Sequence, residues 1–148
     1  MSVQQEVMSK MKEAMKSKDT VALTALRALK SAFMLANTES GAGEISSEEE
    51  LKIVQKQVKQ RKDSAQVFQE QGREDLAEPE LAEAAVLEQF LPEALSDEAI
   101  EEVVVAVIKE INAGGMKDMG KVMGVVSKKL AGQADGKTIS TIVKAKLS

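Results

Sequence analysis

The sequence predicts an all-α protein: an N-terminal antiparallel bundle of about four helices, then a small C-terminal three-helix domain. Three observations carry this. Apolar residues recur at three- and four-residue spacing along the 148 residues, while alternating apolar/polar runs are scarce. The strong helix formers Ala, Glu, Lys, Gln and Leu abound. Breakers such as Gly72 and Leu91-Pro92 fall between the periodic stretches.

The first helix is expected over about 2–17, with Val3, Val7, Met8, Met11 and Met15 on one stripe. Asp19 or Ser17 starts the second, over about 20–38. That helix carries Leu23, Leu26, Leu29, Phe33, Met34 and Leu35, so it is apolar round most of its girth and belongs centrally. Ser40-Gly41-Ala42-Gly43-Glu44 reads as a loop. Ser47-Glu48-Glu49-Glu50 then reads as a capping box opening a helix over about 48–71, with Leu51, Val54, Val58, Ala65 and Phe68 inward. Gly72 ends it. The fourth helix begins near Arg73 or Pro79 and runs to Phe90.

Pro92 disfavours helical geometry at Leu91, and the domain boundary is placed there, giving lobes of 1–92 and 93–148. After Ser96 or Asp97, Ile100, Val103, Val104, Val107, Ile108 and Ile111 form the cleanest amphipathic stripe in the chain. Asn112-Ala113-Gly114-Gly115 ends that helix. Asp118 is expected to cap a sixth helix over about 119–130, closed by Gly132. Asp135-Gly136 leads into the last, over about 137–147, with Ile139, Ile142, Val143 and Leu147 inward.

Composition excludes several functions. The chain has no Cys and no His, which removes disulfides, thiol catalysis, thiolate zinc sites and the commonest general base. No metal site, cofactor or catalytic residue is expected. Trp and Tyr are absent, so stacking of exposed bases on a row of aromatics is unavailable. No apolar run is long enough to span a membrane, and residues 1–13 do not resemble a signal peptide. A cytoplasmic protein is the simplest expectation. With no long heptad seam, it is expected to be a monomer.

The net charge of −4 hides a segregation. Residues 44–102 hold six basic and seventeen acidic side chains, whereas 103–148 hold eight basic and three acidic. Lys117, Lys121, Lys128, Lys129 and Lys137 are the candidate phosphate-binding residues of this basic tail. An ordinary solvated face is the structural alternative. Six of the nine glycines (Gly114, Gly115, Gly120, Gly124, Gly132, Gly136) also fall in the tail. Helix caps account for four of them, and close helix packing is expected at Gly120 and Gly124, with close backbone approach to phosphates as the alternative. Asp118 and Asp135 are read as caps rather than as an acid/base pair. Arg27, Lys30, Arg61, Lys62 and Arg73 are expected in a buried or half-buried ion-pair network, with Asp63, Glu74, Asp75 or Glu78 as partners of Arg27 and Lys30; a second tRNA surface or a partner surface is the alternative. The methionines of the first helix are read as core, with a flexible partner groove as the alternative.

Two linked motifs, Asp118-Met119-Gly120-Lys121-Val122-Met123-Gly124 and Lys129-Leu130-Ala131-Gly132-Gln133-Ala134-Asp135-Gly136, resemble the YqeY family. Leu26-Arg27-Ala28-Leu29-Lys30, Gln60-Arg61-Lys62-Asp63-Ser64, Gly72-Arg73-Glu74-Asp75-Leu76 and Gln89-Phe90-Leu91-Pro92 agree with it upstream. Gln133 and Phe90 depart from the Arg and Tyr common in that family. The C-terminal half of the family is similar to the tail of GatB, the B subunit of the tRNA-dependent Asp/Glu amidotransferase. The resemblance implies that 93–148 is a tRNA-contacting module and that Asp118, Gly120, Met123, Gly124, Gly132, Asp135 and Gly136 are mainly structural.

The functional expectation is a non-catalytic, tRNA-binding or tRNA-associated accessory protein. One alternative is a protein–protein adaptor using the acidic 44–102 surface against an aminoacyl-tRNA enzyme or another translation-related protein. The other, by similarity alone, is a glutamine-dependent amidotransferase, a carbon–nitrogen ligase.

Overall fold

The computed structural model describes residues 2–41 and 43–148; Met1, and Ala42 in the expected loop, lie outside the described residues. Among the described residues the protein is all-α, with seven α-helices and one 3₁₀ turn. They are α1 (Val3–Ser17), α2 (Thr20–Glu39), α3 (Ser47–Glu70), α4 (Glu74–Glu88), α5 (Asp97–Glu110), α6 (Met119–Lys129) and α7 (Gly136–Leu147), with the 3₁₀ turn Met116–Asp118 before α6. The chain divides into two compact units, Met1–Leu91 and Pro92–Ser148.

In the first unit, α2 touches α1, α3 and α4. Its buried Ala22, Ala25, Leu26, Leu29 and Phe33 meet Val7 and Ala14 of α1, Val54 and Val58 of α3, and Ala84 and Leu87 of α4. Sequestering such side chains is the main favourable term, about 1.5–3 kcal/mol for each large one. The α1 stripe is a correction. Val7 and the small Ala14 are buried, whereas Met8 and Met15 are 43% and 58% exposed. The central helix α2 likewise leaves Met34 and Leu35 exposed.

Side-chain caps start α1, α2 and α3, whereas α4 has none. Ser2 accepts from the Gln5 backbone N–H, and Gln5 reaches back to the Ser2 N–H, a capping box at α1. Asp19 accepts from the Ala22 N–H and starts α2. At α3 the cap lies one residue earlier than expected: Ser46 accepts from the Glu49 N–H at 3.1 Å. Glu50 is therefore not a box partner. It is buried, and its carboxylate accepts from the Gln4 N–H of α1 at 3.1 Å. Gly72 takes the left-handed conformation after α3, with φ +73°. Pro79 lies inside α4, which begins at Glu74.

The expected ion pairs form at three of the five basic residues. Arg61 pairs with Glu83 at 3.5 Å, both side chains largely buried, and Lys62 pairs with Glu88. Arg73 pairs with Asp75 two residues on. Arg27 and Lys30 make no ion pair among the described residues.

In the second unit each helix gives three residues to one core: Ile100, Val104 and Val107 from α5; Val122, Val126 and the α6-terminal Leu130; Ile139, Val143 and Leu147 from α7. Ser96 caps α5 through the Ala99 N–H at 3.2 Å. Asn112, not a glycine, takes the left-handed turn after it, with φ +53°. Asn is the residue that tolerates this conformation best after Gly.

Candidate nucleic-acid interface

The candidate site is built on α6, its flanking turns and α7. The α6 face that buries Val122 and Val126 fixes what the opposite face shows. One helical turn is 3.6 residues, so Lys121, Gly124 and Lys128 (i, i+3, i+7) share the outward face, with Gly120 beside them. All four are exposed.

Gly120 and Gly124 do not pack against a second helix, contrary to the expected role. A Cβ built at either position meets nothing within 4 Å. Both therefore face open space: Gly120 in the first turn of α6, and Gly124 in its interior, where Gly is about 0.8–1.0 kcal/mol worse than Ala. Their local effect is accessible backbone at two points, Gly120 next to Lys121 and Gly124 between Lys121 and Lys128.

Asp118 stands at the position before α6 but makes no cap with its side chain. Its carboxylate instead accepts from the Gly114 N–H at 2.7 Å. Asp118 is the last residue of the 3₁₀ turn, which its own N–H closes to the Gly115 carbonyl at 3.0 Å. Lys117 lies in that turn and not on the α6 face. Its Cε is 3.3 Å from where a Cβ on Gly114 would stand. Asp135 does cap: it accepts from the Thr138 N–H at 2.6 Å at the start of α7.

The glycines expected as caps also divide. Gly132 is buried with φ +81°, the left-handed position after α6. Gly115 has φ +128° and faces the Leu147 carbonyl. Gly136 is the first residue of α7 itself, and Gly114 has no positive φ. Met123 is half-buried and packs against the core of this unit. Gln133, one of the two departures from the family pattern, donates from Nε2 to the Glu93 carbonyl at 3.4 Å, while its own carbonyl accepts from the Leu95 N–H at 3.0 Å. It holds the segment before α5 against the α6–α7 turn.

The lysines are not equivalent. Lys129 is engaged by Glu110 at 3.2 Å, and Lys146 by Glu101 at 2.5 Å. Lys117, Lys121, Lys128, Lys137 and Lys144 are exposed and make no ion pair among the described residues. Lys144 is an addition to the sequence candidates. It follows Lys137 by seven residues, so the two share the outward face of α7. That heptad spacing was its available signal. Among the described residues, no group of three or more acidic side chains is placed to hold a metal ion. No helix among them is long and apolar enough to cross a membrane.

Comparison with known proteins supplies the wider setting. The family model described as Yqey-like protein matches residues 4–147. The chain is 39% identical over 106 residues to altered inheritance of mitochondria protein 41, mitochondrial, of Clavispora lusitaniae, covering 70% of this chain and 61% of that one. It is 32% identical over 127 residues to the protein of the same name from Pyrenophora tritici-repentis, covering 84% and 68%. Over 86 residues it is 37% identical to the E subunit of the glutamyl-tRNA(Gln) amidotransferase of Thermococcus gammatolerans, covering 55% of this chain and 14% of that protein.

Proposed function

This chain belongs to the Yqey-like protein family, and from that premise we propose that it is a non-catalytic tRNA-binding accessory protein of the cytoplasm. The observation that carries the reading is the open face of α6. There Lys121 and Lys128, which make no ion pair among the described residues, stand beside Gly120 and Gly124, whose missing side chains leave the helix backbone approachable. Lysines without carboxylate partners keep their charge for a polyanion, and bare backbone lets a phosphate chain come close. Lys117, Lys137 and Lys144 extend the same charge. The similarity to part of a protein named for a tRNA-dependent reaction supports tRNA as the polyanion. The unit 93–148 is the three-helix domain that would carry the contact, and 1–92 the helical bundle that accompanies it.

Recognition would go through phosphates and shape, because Phe33, Phe68 and Phe90 are the only aromatics. The test is fluorescence anisotropy of total tRNA with the full chain across a salt series, with duplex DNA beside it. Tighter binding of tRNA and a steep salt slope are expected. Lys121→Glu with Lys128→Glu should weaken binding at every salt concentration and lower the slope by about two. Lys129→Ala, whose partner is Glu110, should change little. No binding at low salt overturns the reading.

A further inference from the structure

We infer that the outer face of the α1–α2 hairpin is a docking groove for an acidic amphipathic helix of a partner protein. This is independent of the tRNA reading and uses none of the α6 or α7 lysines. On α1, Met8, Met11 and Met15 follow the i, i+3, i+7 spacing of one stripe. On α2, Arg27, Lys30 and Met34 follow i, i+3, i+7.

One hydrogen bond puts both stripes on the same side of the hairpin: Asn37 Nδ2 donates to Gln4 Oε1 at 3.1 Å. Gln4 lies one turn before Met8 on its stripe, and Asn37 one turn after Met34 on the other. Antiparallel packing then runs the two rows side by side.

This surface is not core. Met8, Met15 and Met34 are 43%, 58% and 59% exposed, while Met11 is half-buried and forms the floor. Scattered single apolar residues need no explanation, but methionines aligned on two adjacent helices form a continuous patch. Methionine is unbranched and polarizable, which suits a groove that adapts to an incoming helix.

Charge names the occupant. Arg27 and Lys30 sit in the groove with no ion pair among the described residues, and Lys12 lies on its α1 rim. Neither row contains a carboxylate. Glu6 and Glu13 lie seven residues apart on a different row of α1, where Glu13 pairs with Lys10. The groove thus offers thioethers and uncompensated cations together. The complement is a helix with an apolar stripe flanked by Glu or Asp.

The test uses the full chain labelled with ¹³C in the methionine methyl groups. The probe is a synthetic Leu/Glu amphipathic peptide of about 18 residues, long enough to form a helix. Controls are the same peptide with Lys for Glu, and vesicles of phosphatidylglycerol. The expected result is saturable binding of the Glu peptide that shifts the Met8, Met15 and Met34 methyl signals and leaves Met116 unmoved. Arg27→Glu with Lys30→Glu should weaken it at least about tenfold without loss of helical circular dichroism. Lys121→Glu with Lys128→Glu should leave it unchanged. Equal binding of the Lys peptide, or no shift at those methyls, overturns the proposal. Vesicle binding without peptide binding overturns it in favour of a lipid surface, and methyl shifts that grow with protein concentration alone overturn it in favour of self-association.

Discussion

The buried carboxylate of Glu50, in the first turn of α3, accepts the backbone N–H of Gln4, in the first turn of α1, at 3.1 Å. The first N–H groups of a helix have no partner within it. Glu50 satisfies one of them from another helix and places negative charge at the positive end of α1. Glu50→Ala removes the acceptor and leaves the Gln4 N–H without this partner in a part-buried site. The expected loss is about 1–3 kcal/mol, read as a lower urea midpoint by circular dichroism. Glu50→Gln keeps an acceptor oxygen and should lose less.

The two aspartates of the C-terminal motifs should part company under mutation. Asp135 holds the Thr138 N–H at 2.6 Å and begins α7. Asp135→Ala is expected to cost about 1 kcal/mol, the usual value of such a cap. Asp118→Ala instead frees the Gly114 N–H, so its effect belongs to the α5–α6 turn. Hydrogen exchange separates the two. Faster exchange at Thr138 is expected in the first variant and at Gly114 in the second.

All seven helices were legible because period and breakers agreed along the chain. What was not legible depended on tertiary neighbours. Ser46 and Ser47 each have a Glu three residues on, so the local pattern supports two frames for the α3 cap. The position of α1, which claims Glu50, decides between them. On α1 the apolar residues outnumber the places the core can hold, and the core took Val7 and small Ala14 over the larger Met8 and Met15. At the site, the lysine-rich tail was plain from charge counting. Which lysines are engaged was not, because Glu110 and Glu101 reach Lys129 and Lys146 from α5. The openness at Gly120 and Gly124 was hidden for a similar reason. A glycine within a helix reads alike whether a second helix or solvent faces it.

Arg73 and Asp75 provide a pH-dependent contact at the start of α4. The guanidinium Nε donates to Asp75 Oδ1 at 3.0 Å and Nη2 to Oδ2 at 2.9 Å. This side-chain hydrogen bonding holds the Asp75 carboxyl below its ordinary range, and the backbone N–H groups of Asp75 and Leu76 add to the effect. A carboxyl with a lowered folded-state pKa stabilises above its unfolded value, and the contribution is lost as pH falls through the folded one. A carboxyl-carbon NMR titration should therefore place the Asp75 midpoint below that of an unpaired aspartate. Arg73→Ala should move it back up. An Asp75 midpoint unmoved by Arg73→Ala would show that the pair is not formed in solution.

Gly124→Ala tests the open α6 face by setting stability against binding. A Cβ at Gly124 meets nothing within 4 Å, so no clash opposes the gain in helix propensity. The variant should be more stable by up to about 1 kcal/mol, seen as a higher thermal midpoint. One use for bare backbone at a position where glycine costs helix stability would be contact with a ligand. If that use is the approach of a phosphate chain between Lys121 and Lys128, the stabilised variant should bind tRNA less tightly with both lysines still present. The salt slope should stay near the wild-type value, because no charge has been removed. A more stable variant with unchanged tRNA affinity would take the glycine face out of the binding site and leave the lysines to act through charge alone.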